Sequence, residues 1–235
     1  MSGKISSYFK SGTIKVALIA FGCTLLLCAI MVFIAASAEE IPELNGFGVF
    51  LLIAGIILFI CGGTIGAVSD YEVDSYASQL IGEITETGLM KLGLDKDEVK
   101  EIQPITIEGY DYVGSNFYRY GKDMKWRGDR YKAVIFFFSN NEVHCYTCSV
   151  SLIDGTRNES TDVYFYNDIV SVSTQTEYSQ TVVKGVAKKI SYECFKLTTS
   201  GGTSINCSIK NSDQVSRSIN GMRNLIKSKK SEIKQ

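Results

Sequence analysis

Two uncharged apolar stretches constrain this chain more than any other feature. Val16 to Ala38 carries no charged side chain, and neither does Phe47 to Val68 (FGVFLLIAGIILFICGGTIGAV). Each exceeds the ~20 apolar residues that cross ~30 Å of hydrocarbon as a helix. Between them Glu39, Glu40, Pro42, Glu43 and Asn45-Gly46 supply turn chemistry. The pattern predicts a two-helix transmembrane hairpin, with helices at 16–38 and 47–68. Whole-chain averages conceal it: of the 24 basic and 25 acidic residues, only six fall in the first 68 positions. The expected partner of this segment is the lipid bilayer itself.

The first stretch also fits a second reading. Lys4, Lys10 and Lys15 form a basic leader, and Ala36-Ser37-Ala38 has the small-x-small form of a signal-peptide cleavage site. Its apolar run is longer than the ~7–15 residues usual there, which favours a retained helix. The same lysines face an inter-helix loop without positive charge, so both termini are expected in the cytoplasm, with Met1 or Ser2 opening the mature chain.

Small residues recur at heptad spacing in both stretches: Gly22, Ala29 and Ala36, then Gly48, Gly55 and Gly62. Such a stripe lets helix backbones approach closely in lipid, so these six are the expected helix-packing residues. Neither stretch contains an ionisable side chain, which argues against a transport path through the hairpin.

Residues 69–110 hold ten acids and three bases, whereas 111–235 hold eighteen bases and twelve acids. Val73, Tyr76, Leu80 and Ile84 lie at helical spacing, with Gly93 as a stop and Asp95 with Glu98 as a capping box. The reading is an acidic helical connector over 69–104, either solvated or docked on the C-terminal domain. From 105 to 230 the composition turns to Val, Ile, Thr, Tyr and Phe in strand-like runs, broken at Asn140-Asn141, Asp154-Gly155 and Gly201-Gly202. An amphipathic helix ends this region, with Val215, Ile219, Met222 and Ile226 on one stripe and a short tail at 231–235. An α+β domain is expected: an antiparallel, barrel-like sheet of six to seven strands and one C-terminal helix.

That order, together with Tyr164-Phe165-Tyr166-Asn167-Asp168-Ile169-Val170-Ser171-Val172, resembles the pleckstrin-homology-like superfold, including GRAM domains. The whole chain resembles bacterial membrane proteins that carry such a domain behind two helices. The resemblance implies a binding scaffold without catalytic residues, in a bacterial cytoplasmic membrane, for phospholipids or protein segments.

Candidate chemistry is sparse. Cys145-x-x-Cys148 lies in an apparent strand, where residues three apart point to opposite faces; Cys148 is expected toward the core with Val150 and Leu152. Cys194 and Cys207 also fall in strands, so reduced structural thiols are expected, with no metal site and no cofactor. The single histidine, His144, and the absence of a phosphate loop or nucleophile–base pair lead to the expectation of no enzyme and no catalytic residue. A net charge of −1 argues against nucleic acid as a partner. The most informative polar segment is 119–132 (RYGKDMKWRGDRYK), which holds the only Trp. Arg119, Lys122, Lys125, Trp126, Arg127 and Arg130 are the expected contact with anionic headgroups or a protein partner, read as a loop between the first two long strands. Two functions stay open: a membrane-anchored binding module, or an accessory subunit of a membrane assembly built through the hairpin.

Overall fold

The computed structural model describes residues 2–39, 42–64, 68–82, 84–95, 103–183, 185–210 and 212–232. The capping box at Asp95 and Glu98 falls partly outside these residues. Two compact units result, Met1–Ser69 and Asp70–Gln235.

The first unit is an antiparallel pair of helices, α1 (Ser2–Glu39) and α2 (Pro42–Thr64). Both are long and apolar enough to cross a membrane, over Lys15–Ser37 and Asn45–Gly63. Gly22, Ala29, Ala36, Gly48, Gly55 and Gly62 are all buried. The contact is close at backbone level: a Cβ on Gly22 would stand 3.0 Å from the Phe59 nitrogen and 3.1 Å from the Gly55 carbonyl. One on Gly62 would meet Ile19, and one on Gly48 the Phe33 ring. The outward faces carry Phe21, Leu27, Met31, Phe50, Ile57 and Ile60.

The second unit begins with α3 (Asp70–Gly82) and α4 (Ile84–Leu92), which Gly93 ends in the left-handed conformation (φ +67°). Both helices fall in the same compact unit as the sheets that follow. Their buried stripe is Val73, Ala77, Ile81 and Ile84, one step round from the expected one, with Tyr76 and Leu80 half-buried beside it.

Among the described residues nine strands come next, arranged in three antiparallel sheets, none of them closed into a barrel. β1 (Ile105–Tyr110), β4 (Arg130–Phe138), β5 (Glu142–Ser151) and β6 (Arg157–Phe165) form a four-stranded meander. β2 (Tyr118–Tyr120) and β3 (Trp126–Gly128) form a separate hairpin inserted between β1 and β4. β7 (Ile169–Val183), β8 (Val186–Thr199) and β9 (Ser204–Ser208) form the third sheet, and α5 (Ser212–Glu232) closes the domain. The strand-like run 161–174 is broken by a 3-10 turn at Tyr166–Asp168 that hands the chain to the next sheet. Tyr166 anchors that turn, buried and donating its hydroxyl to the Ser139 carbonyl at 2.8 Å.

The main core lies between these sheets and α5. Val134, Phe136, Cys145, Phe195 and Leu197 meet Val215, Ile219, Met222 and Ile226 there. Alternation sends Ala133, Ile135, Phe137, Tyr146, Cys148 and Val150 to the opposite face of the meander, and these are buried too. α4 lies against that face. A Cβ on Gly88 would sit 3.0 Å from the Tyr146 ring, and Lys91 pairs with Glu159. Cys145 and Cys148 do point to opposite faces, but it is Cys145 that enters the core beneath α5. Sheet burial on both sides explains why β4 reads as a continuous apolar run (AVIFFF) without alternation.

Candidate functional site

The site is built around the β2–β3 hairpin. Gly121 and Met124 make its turn: Gly121 N–H donates to the Lys125 carbonyl at 2.9 Å, and Met124 takes φ +59°. The register pairs Tyr120 with Trp126 and Arg119 with Arg127.

Arg127 is among the most buried side chains of the protein, 1% exposed. Its Nε and Nη2 donate to the two carboxylate oxygens of Asp74 at 2.9 and 2.7 Å. Nη1 and Nη2 donate to the two oxygens of Asp123 at 2.8 and 2.7 Å. One guanidinium thus holds two carboxylates in bidentate geometry, one from α3 and one from the hairpin turn. Asp70 adds a third carboxylate, 4.0 Å from Nη1, and accepts the Lys122 backbone N–H at 2.7 Å. The Tyr110 hydroxyl donates to Asp74 at 2.5 Å. Space for this convergence comes from Gly121, where a Cβ would crowd Arg127 Nη1, Asp123 Oδ1 and, at 2.8 Å, Asp70 Oδ2.

The electrostatics follow from these contacts. Hydrogen bonds from Arg127 hold the Asp123 carboxyl down at about 2. Burial works against the charge of Arg127, but its bonds to Asp123 and Asp74 outweigh that and raise its pKa further. Burial, reinforced by the Asp74 carboxylate, pushes the Tyr110 phenol well above its ordinary range.

Beside this cluster lies a cleft of about 680 Å³, between the hairpin and the β8–β9 edge. Tyr110, Tyr112, Trp126 and Tyr192 give it aromatic walls, and Lys125 and Lys210 stand at it. Tyr112 packs on Tyr192 with ring centroids 4.8 Å apart and donates its hydroxyl to the Trp126 carbonyl at 2.8 Å. The size is that of a small-ligand site.

The six residues expected to meet a ligand separate accordingly. Lys122 and Lys125 are exposed, with Met124 (76% exposed) between them and Asp123 turned to Arg127. Arg119 and Arg130 are half-buried. Trp126 is half-buried against Tyr120, at 5.1 Å between centroids, so its ring is a wall of the hairpin and not a projecting wedge. Arg127 lies inside the domain, with its guanidinium held by Asp74 and Asp123. Sequence reasoning missed Asp70, Asp74, Tyr110 and Gly121. Only the local excess of acid in α3 signalled them, because the partner lies 53 positions away in the chain.

The thiols lie apart from this site. Cys145, Cys148, Cys194 and Cys207 are free and buried. Burial raises the pKa of Cys145 to about 12 and of Cys194 to about 11. Among the described residues no three His, Cys, Asp or Glu side chains are grouped to hold a metal ion. His144 Nε2 lies 3.2 Å from Glu142. Comparison with protein-family models, curated proteins and solved structures returned no match.

Proposed function

We propose that this chain is a membrane-anchored, non-enzymatic binding module. Its α1–α2 hairpin spans a bacterial cytoplasmic membrane with both termini inside, and its sheet domain is a pleckstrin-homology-like scaffold that meets an anionic lipid or protein partner. A meander of four strands, a meander of three and one closing helix support the scaffold reading, with β2–β3 as an insertion after the first strand. The apolar outer faces of α1 and α2 support the membrane reading, since such surface is costly in water. Lys4, Lys10 and Lys15 support the orientation.

The observation that carries the proposal is the clamp on α3. Arg127 and the Lys122 backbone hold Asp70 and Asp74, the first residues of the domain, so only residues 65–69 separate α2 from it. Six chain steps span at most about 20 Å fully extended. The domain presents the exposed Lys122 and Lys125 beside an aromatic cleft, and it is covalently joined to the membrane hairpin. Tethering raises effective concentration, so weak charged contacts suffice. The small faces of α1 and α2 are used against each other, which supports the binding-module reading over the accessory-subunit one.

The test uses the full chain in vesicles of phosphatidylcholine, with or without phosphatidylglycerol, and follows emission of the single Trp126. The expected result is a spectral change with phosphatidylglycerol that salt and the Lys122→Glu/Lys125→Glu pair remove. No response in anionic vesicles would withdraw lipid from this site and leave the protein partner.

A further inference from the structure

The hairpin of β7 and β8 is much longer than the sheet it belongs to. The two strands pair without interruption from Ser171↔Thr198 to Val183↔Val186, whereas β9 pairs only with Cys194–Thr198 of β8. Beyond that, the pairs from Glu177↔Tyr192 outward form a two-stranded arm, about 20 Å long at ~3.4 Å per residue. A free two-stranded ribbon is marginal in water, so its base needs a brace. Ser179 Oγ donates to the Tyr112 carbonyl at 2.9 Å, and Tyr192 packs on the Tyr112 ring. The brace fixes the base and leaves the end projecting.

What projects is apolar at the tip and basic behind it. Tyr178, Val182 and Val186 are 58%, 69% and 54% exposed, and Ala187, Lys188 and Lys189 are exposed with them. Tyr178, Val182, Ala187 and Lys189 share one face by register, with the Lys189 ammonium 3.7 Å over the Tyr178 ring. No acid occurs from 178 to 192. The tip thus exposes β-branched apolar surface and positive charge with no counter-charge of its own. An anionic bilayer interface answers both features, because acyl chains take the valines and phosphates take the ammonium groups.

We propose that the β7–β8 arm is a membrane-docking element, which seats Val182 and Val186 in the interface of an anionic bilayer with Lys188 and Lys189 on its phosphates. The inference rests on the reading that α1 and α2 anchor the chain in a membrane. It differs from the proposed site on β2–β3 in residues and in chemistry, since the arm offers apolar surface where the hairpin offers lysines around a cleft.

The experiment moves the only Trp to the tip. Full-length W126F/V182W is reconstituted in vesicles containing brominated phosphatidylcholine, with or without phosphatidylglycerol, and a matched W126F/V163W places the Trp on β6. Bromolipid quenching at position 182 is expected with phosphatidylglycerol, reduced by salt and much weaker at 163. Each lysine removed in K188E/K189E is expected to weaken docking by about fivefold or more, the equivalent of ~1 kcal/mol per basic residue at an anionic leaflet. Retention of the chain in the membrane after an alkaline wash, with an unquenched Trp at 182, would overturn the arm and spare the anchor. Loss of the chain in that wash would overturn both. Equal quenching at 163 and 182, or tip-to-tip crosslinking of two copies without quenching, would also overturn the arm.

Discussion

Replacing Arg127 by Met should release α3 from the domain before anything else yields. The substitution keeps much of the side-chain length and deletes four charge-assisted hydrogen bonds, two to Asp74 and two to Asp123. Breaking a buried ion pair by removing one partner costs about 3–5 kcal/mol, chiefly because a charge is left stranded. Here the stranded carboxylates retain some water, since the Asp74 side chain is 27% exposed and that of Asp123 38%. The lower end, about 3 kcal/mol, is therefore expected. α3 keeps its second attachment, the buried Val73, Ala77 and Ile81. At ~1.5–3 kcal/mol for each large side chain, that attachment is comparable to the loss, so α3 should open more often without leaving for good. Native-state hydrogen exchange reads this directly. Amides of α3 should lose about a hundredfold in protection, since 1.4 kcal/mol is a factor of ten. Amides of β4 and β5 should change far less. Arg127→Lys should recover only part of the protection, because an ammonium cannot hold two carboxylates in bidentate geometry. Unchanged α3 exchange in the Met variant, or an equal loss in β4 and β5, would refute the clamp.

Three further outcomes rest on other parts of the molecule. Gly55→Leu should separate α1 from α2, because even a Cβ there would stand 2.9 Å from Leu26 and 3.1 Å from the Gly22 carbonyl; Gly63→Leu, with nothing within 4 Å of its Cβ, should not, as double-label distances across the hairpin would report. Cys145 and Cys194, buried and with raised pKa values, should resist alkylation at neutral pH until the domain is denatured, and rapid native labelling counted by mass spectrometry would contradict their placement. Because the folded pKa of Asp123 is depressed to about 2 from an ordinary 3.8, its contribution is complete above about pH 4 and is lost as pH falls toward 2. Acid-induced opening of the β2–β3 turn in that window should be shallower in Asp123→Asn, as amide exchange of the hairpin would report.

How far the sequence exposed this architecture depends on the range over which each feature is decided. The apolar stretches, the glycine spacing and the α5 stripe are local periodicities, and they stand in the structure where the residues put them. The 3-10 break at Tyr166–Asp168 was marked only by the turn-forming Asp168, because strand-like composition runs on both sides of it. The outer arm was hidden for the opposite reason: 175–189 is mostly polar, and beyond the buried Ile190 the ribbon has no apolar alternation to display. The basic segment at 119–132 is the sharpest case. Counting charges gives an excess of four, and counting cannot tell a cation that faces water from one that faces two carboxylates. The ten acids of 69–110 were visible as a composition shift, yet the inference that one of them removes Arg127 from the surface requires α3 to fold back on the hairpin. Val73, Ala77 and Ile81 are buried in that arrangement, and Asp70 and Asp74 meet the hairpin. The continuous run AVIFFF in β4, which has no exposed side to reserve for polar residues, was the sequence's own indication that something must cover its second face. The nearest amphipathic segment able to do so was the acidic one.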